Sequence, residues 1–218
     1  MQKSLNLYID HTLLKPEATL QEIEKLCKEG VEHQFASVCV QPAWVAYACE
    51  FLKGTKVKLC SVVGFPLGAN TTDSKAREAQ QLAEYGVQEI DMVINIGALK
   101  SKDYKKVHQD IKAVVQAASS SIVKVIIETC LLTDEEKQTA SLLSIEAGAN
   151  FVKTSTGFSK SGATIQDVAL MRNVVGPDFG IKASGGIRDL STVLAMIEAG
   201  ATRIGTSSSV AIMQSMKK

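Results

Sequence analysis

The sequence predicts an α/β fold, a single-domain (β/α)8 TIM barrel spanning residues 1–218. Three observations carry that expectation. Short apolar runs alternate with amphipathic stretches along nearly the whole chain, the pattern of parallel strands joined by helical crossovers. Glycines follow several amphipathic stretches, where left-handed caps end helices. No linker, low-complexity segment or second-domain signature divides the chain.

The elements follow in order. LYID (7–10) opens the series and is its weakest strand; without it, a doubly wound open sheet would be the rival. A helix is expected over 18–30, closed by Gly30, and then come the strands FASVCV (35–40) and KLCSVVG (58–64). The next helix covers 72–85 and stops at Gly86, ahead of the strand EIDMVIN (89–95). Over 101–118, Val107, Ile111, Val114 and Val115 recur three and four apart, one face of a helix. VKVIIET (123–129) leads to a helix over 134–147 capped by Gly148, and FVKTS (151–155) to one over 164–175. GIKAS (180–184), a helix over 189–199 capped by Gly200, and TRIGTS (202–207) complete the set. Eight strand candidates, each followed by a helix, suit a closed barrel better than an open sheet.

Composition narrows the function classes. The 218 residues are 45% hydrophobic and 22% charged, an ordinary globular balance with enough apolar residues for a large core. A net charge of +1 gives no electrostatic reason to expect nucleic acid or an anionic membrane as partner. No apolar stretch reaches spanning length, and MQKSLNLYIDHT lacks a signal-peptide core, so a cytoplasmic location is expected. Cys27, Cys39, Cys49, Cys60 and Cys130 are scattered, as reduced thiols are, and His11, His33 and His108 are not at metal-ligand spacing. Neither a metal nor a cofactor is expected.

Chemistry enters with two lysines. Lys153 in FVKTSTG and Lys182 in GIKASGG interrupt strand-like apolar runs, and a buried ammonium is costly unless it is paired or deprotonated. A deprotonated lysine is a nucleophilic amine able to form a Schiff base with a carbonyl. On neighbouring strands the two charges repel, so Lys182 is expected to hold Lys153 neutral. Moving a lysine from about 10.4 to about 7 takes about 4 kcal/mol, within reach of partial burial plus one like charge. Asp91 in EIDMVIN is either a salt-bridge partner of a lysine or the group that shuttles protons during imine chemistry. Asp10 and Thr12 in IDHTLLKP either support this network or cap a strand end, and Glu128 is expected in a structural ion pair.

Phosphate signals follow the last strands. Gly185-Gly186 comes directly after the Lys182 strand, and Gly205-Thr206-Ser207-Ser208-Ser209 follows the last strand into the final helix. Glycine lets backbone amides approach an anion, a helix start adds partial positive charge, and barrels often hold phosphate at these two loops. Gly157 is placed to close the same pocket.

With IDHTLLKP, FASVCVQP, VVGFPLGAN, EIDMVINIGALK, VKVIIETCLLT, FVKTSTGF, IKASGGIRD and TRIGTSSSV in order, the chain closely resembles the class I deoxyribose-phosphate aldolases. The resemblance implies metal-free cleavage of 2-deoxy-D-ribose 5-phosphate to D-glyceraldehyde 3-phosphate and acetaldehyde, a step in deoxyribose phosphate breakdown. It makes Lys153 the Schiff-base lysine, Lys182 the second lysine that perturbs it and moves protons, and Asp91 the proton donor and acceptor. Surface pairing of such barrels is common, and a homodimer is expected. Family members often end in a flexible tail with a terminal tyrosine; this chain ends SMKK and its last tyrosine is Tyr104, so reduced turnover is expected. The last loop reads SSS where SSG is common, which favours Ser207 and Ser208 over Ser209 as phosphate ligands. The rivals are a phosphosugar isomerase or synthase working by acid–base chemistry, and a non-catalytic sugar-phosphate sensor. Neither needs paired strand lysines.

Overall fold

A computed structural model describes residues 4–119 and 121–216. The first three residues of the N-terminal segment and the last two of SMKK lie outside the described residues.

Eight strands, β1 (Ile9–Leu13), β2 (Ser37–Val40), β3 (Lys58–Val63), β4 (Glu89–Val93), β5 (Ile122–Ile126), β6 (Phe151–Lys153), β7 (Gly180–Ser184) and β8 (Arg203–Thr206), pair in parallel in sequence order. β8 returns to β1 through Asp10↔Gly205 and closes the barrel. Nine helices lie among the described residues: α1 (Leu20–Glu32), α2 (Val45–Leu52), α3 (Thr72–Glu84), α4 (Ile96–Lys100), α5 (Tyr104–Ala117), α6 (Asp134–Glu146), α7 (Ile165–Val175), α8 (Leu190–Glu198) and α9 (Ser209–Ser215). None is long and apolar enough to cross a membrane.

Most helix starts are written locally. Thr19 with Glu22, and Thr133 with Glu136, form reciprocal capping boxes at α1 and α6. Thr71, Asn95, Asp103, Thr164 and Asp189 each accept a backbone N–H three residues on, satisfying a donor that has no partner inside the helix.

The structure corrects the sequence reading in three places. Only the second half of LYID is strand: Leu5–Tyr8 forms a 3-10 turn, and Ile9 and Asp10 open β1, which runs on to Leu13. The Asn6 side-chain amide donates to His33 O (3.1 Å) and Gln34 O (2.8 Å), which anchors the preceding turn to the α1–β2 loop. Gly30 is not a cap, because α1 runs on to Glu32 and Gln34 takes the left-handed conformation at φ 52°. A Cβ on Gly30 would stand 2.4 Å from Val38 Cγ2, so the glycine is there to let α1 lie against β2. Helices α2 and α4 were not anticipated; VAYACEFL is apolar nearly throughout and shows no clear stripe.

The core has two parts. Outward strand residues such as Val38, Ile90, Val125 and Ile181 pack against the helices in one continuous apolar layer. Inside the barrel, among the described residues, Leu14, Cys39, Cys60 and Val62 form a small apolar cluster. Side chains alternate along each strand, so Asp91 points inward while its neighbours Ile90 and Met92 face the helices. Asp10, Glu89, Asp91, Lys124, Lys153, Lys182 and Arg203 are all buried, and the interior is largely ionic.

Candidate active site

Lys153 ends β6 and lies in register with Lys182 of β7. Asp91 reaches both from β4: each Nζ is 2.7 Å from Asp91 Oδ2. The same carboxylate accepts from Lys124 of β5 through Oδ1 at 2.8 Å. Asp91 is therefore the common anion of three lysines, more than the partner of one.

The ion pairs continue down the barrel. Lys182 Nζ lies 2.5 Å from Asp10 Oδ2, and Asp10 Oδ1 accepts from Ser37 Oγ (2.6 Å) and Arg203 Nη1 (2.7 Å). Arg203 forks onto Glu89, Nη1 to Oε2 at 2.6 Å and Nη2 to Oε1 at 3.2 Å. Glu89 also meets Lys124 at 2.7 Å and the half-exposed Lys58 at 3.1 Å. Asp10 is thus part of the ionic interior and caps no strand end. Thr12 stands one layer higher, its hydroxyl donating to Asp10 O at 3.0 Å.

Ionisation follows from these contacts. Burial works against the Asp91 carboxylate, yet Lys124, Lys153 and Lys182 hold it well below the usual range. Burial likewise opposes charge on Asp10, and Lys182, Arg203 and Lys124 overcome it. Lys182 is the mirror case: burial favours the free amine, but Asp10 and Asp91 push it above the ordinary lysine value. Lys182 is therefore a cation neutralised by two carboxylates, one of which, Asp91, it shares with Lys153.

Above this network a cavity of about 320 Å³ opens at the C-terminal end of the strands. Of the three central residues only Lys153 lines it. Asp91 and Lys182 lie behind Lys153, buried and outside the lining. Gly157, Gly185, Gly186, Gly205 and Ser207 line it too, together with Thr12. Gly157, Gly185 and Gly186 have φ of 85°, 85° and 78°, which a side chain would strain. Ser208 holds the N-cap position of α9 without a side-chain cap hydrogen bond, and its N–H donates to Thr206 Oγ1 (2.9 Å). Ser209 Oγ is held by Thr206 O and His11 Nδ1. The sequence reading missed two cations at the rim, Lys15 and Arg188, although both sit inside quoted motifs. Phe158, also in the lining, meets Phe65 edge to face, centroids 5.3 Å apart, and Phe65 packs on the interior apolar cluster.

Glu128 departs from expectation. It is buried in a left-handed turn (φ 55°) and accepts from Thr156 N and Oγ1, with no ion pair among the described residues. Two groups have donor atoms close enough to share an ion, Cys39–Cys60–Asp91 and Asp10–Cys60–Glu89. Lys124 already threads both, 2.8 Å from Asp91, 2.7 Å from Glu89 and 3.4 Å from Cys60 Sγ.

Comparison with known proteins agrees with this geometry. Residues 4–215 match the model of the DeoC/LacD family aldolases. A deoxyribose-phosphate aldolase of Streptococcus sanguinis is 62% identical over 210 residues, 96% of each chain. A crystal structure of a putative deoxyribose-phosphate aldolase from Coccidioides immitis superposes with TM-score 0.96 at 43% identity, covering 98% of this chain and 86% of that one. The tetrameric deoxyribose phosphate aldolase of Aeropyrum pernix superposes with TM-score 0.92 at 35% identity, covering 98% and 91%. With a closed eight-stranded barrel and an inward lysine at its open end, the chain belongs to the DeoC/LacD family of aldolases, lyases of the carbon–carbon bond.

Proposed function

We propose that this aldolase reversibly cleaves 2-deoxy-D-ribose 5-phosphate to D-glyceraldehyde 3-phosphate and acetaldehyde through a Schiff base on Lys153. One observation carries the assignment of the nucleophile: Lys153 alone of the three central residues faces the cavity.

The amine of Lys153 adds to the C1 aldehyde of the open-chain sugar, and loss of water leaves an iminium. The C3 hydroxyl gives its proton to Asp91, relayed by a water, and the C2–C3 electron pair moves to C2. D-glyceraldehyde 3-phosphate leaves with C3 as its aldehyde, and the enamine on Lys153 takes a proton at C2. Lys182, hydrogen-bonded to Asp91, stabilises the carboxylate and passes protons with it. Water then releases acetaldehyde and the free amine. Gly157, Gly185, Gly186, Gly205 and Ser207 of the lining, with Ser208 outside it at the start of α9, are the proposed phosphate-binding group, and Arg188 and Lys15 add charge at the rim. Holding the phosphate orients the distant reacting bond.

Borohydride added during turnover tests the reading. An irreversible two-carbon adduct on the Lys153 peptide is expected, with aldehyde formed in a coupled assay. No adduct sinks the imine mechanism, and binding without aldehyde would make the protein a sensor. Two further readings go with this one, a homodimer and a cytoplasmic location. Light scattering that gives a tetramer, as described for the Aeropyrum relative, replaces the first; recovery with membranes replaces the second.

A further inference from the structure

Among the described residues seven charged side chains share the barrel interior, and their charges nearly cancel. The carboxylates are Asp10, Glu89 and Asp91; the cations are Lys124, Lys182 and Arg203, with Lys153 as a fourth. The three deeper cations match the three carboxylates one for one. A proton on Lys153 is thus the surplus charge, and Lys153 is the member of the set that opens on the cavity.

The deeper cations are locked. Arg203 does not deprotonate in proteins, and it is held by Glu89 and Asp10 beneath the Phe151 ring, 5.5 Å from its centroid. Lys124 is surrounded by Asp91, Glu89 and, at 3.8 Å, Asp10. The other groups facing the centre are the Cys39 and Cys60 thiols on β2 and β3 and the neutral Ser37 hydroxyl. Lys15 and Arg188 stand at the rim, and Lys58 meets Glu89 from the far end.

We propose that Glu89 and Arg203, a layer below the reacting centre, are positioning residues that set the charge balance keeping Lys153 as the free amine. The proposal rests on Lys153 being the Schiff-base lysine. Neither residue reaches the cavity lining, and both act through Asp10, Lys124 and Lys182. Removing the arginine leaves the interior one charge more negative and favours the ammonium. Removing the glutamate does the reverse.

The test reads the pH midpoint at which a small acylating reagent labels Lys153, by mass spectrometry of that peptide, without turnover. Arg203→Met is expected to raise the midpoint by about one pH unit and Glu89→Gln to lower it by about one, the scale of one buried charge nearby. The double variant restores charge balance and returns the midpoint close to that of the unmodified enzyme. Lys58→Met, a change at a half-exposed side chain least at risk of unfolding, raises it by a smaller amount. Thermal unfolding confirms that each variant is folded. Shifts of the same sign for the two single variants, or folded variants with no shift, overturn the proposal. Failure of the borohydride adduct with these opposite shifts intact would instead sink the imine reading alone.

Discussion

Lys153 and Lys182 end on one carboxylate oxygen, each Nζ 2.7 Å from Asp91 Oδ2. One lysine faces the cavity and the other is enclosed by Asp91 and Asp10. The same functional group therefore has two environments, one open to a ligand in the cavity and one in which two carboxylates hold its proton.

Removing the enclosed lysine should damage chemistry and fold together. Lys182→Met strips Asp91 and Asp10 of a buried partner, at about 3–5 kcal/mol of stability. Turnover should fall about 10²- to 10⁴-fold, the usual scale for lost proton transfer. A coupled aldehyde assay and urea unfolding check both. A folded Lys182→Met enzyme with unchanged turnover removes this lysine from the proton path.

Gly205 faces the Lys182 stem. A Cβ there would stand 3.0 Å from Lys182 Cε and 3.0 Å from Ser184 Cβ. Gly205→Ala should cost about 1–3 kcal/mol through crowding and lower turnover by displacing Lys182. A variant as stable and as active as the parent would show that the strand yields freely at this point.

Arg188 at the cavity rim lets phosphate binding be tested apart from chemistry. Arg188→Ala should raise KM for the phosphorylated sugar about 10- to 100-fold, the loss of one charged hydrogen bond of about 1.5–3 kcal/mol. Cleavage of unphosphorylated 2-deoxyribose should be unaffected. Equal losses on both sugars would place Arg188 outside phosphate recognition.

The buried charges set a pH window for stability. Asp10 and Asp91 ionise below their unfolded value of about 3.9, so their contribution is present above that pH and lost as pH falls through the folded values. Lys182 is raised, so its contribution is present below about 10.4 and lost as pH climbs past it. Burial lowers His11, which adds a shallower loss as pH falls below about 6.5. Melting temperatures should therefore hold from about pH 7 to 10 and drop steeply below about 4. Asp10→Asn should be less stable at neutral pH and should converge on the parent at acid pH; parallel curves would contradict the assignment.

Much of this was legible residue by residue. Capping pairs such as Thr19 and Glu22 are local, so helix starts could be read directly. Lys153, Lys182 and Asp91 stood out because each broke an apolar run. Lys124 broke VKVIIET in the same way and was passed over, since a strand lysine reads alike whether it reaches solvent, as Lys58 half does, or is sealed inside. Glu89 and Arg203 begin their strands, where a charge usually meets water; here closure of the barrel buries both against each other.

The sequence by itself determined the strand–helix alternation, the two-residue alternation of faces along each strand and the residue types able to do imine and phosphate chemistry. Only the tertiary structure decided which lysine opens on the cavity and which charges neutralise it. Side-chain alternation has a period of two and is written along the chain. Contacts across the barrel, from β4 to β7 or from β1 to β8, depend on closure and register, which join residues as far apart in sequence as Asp10 and Arg203.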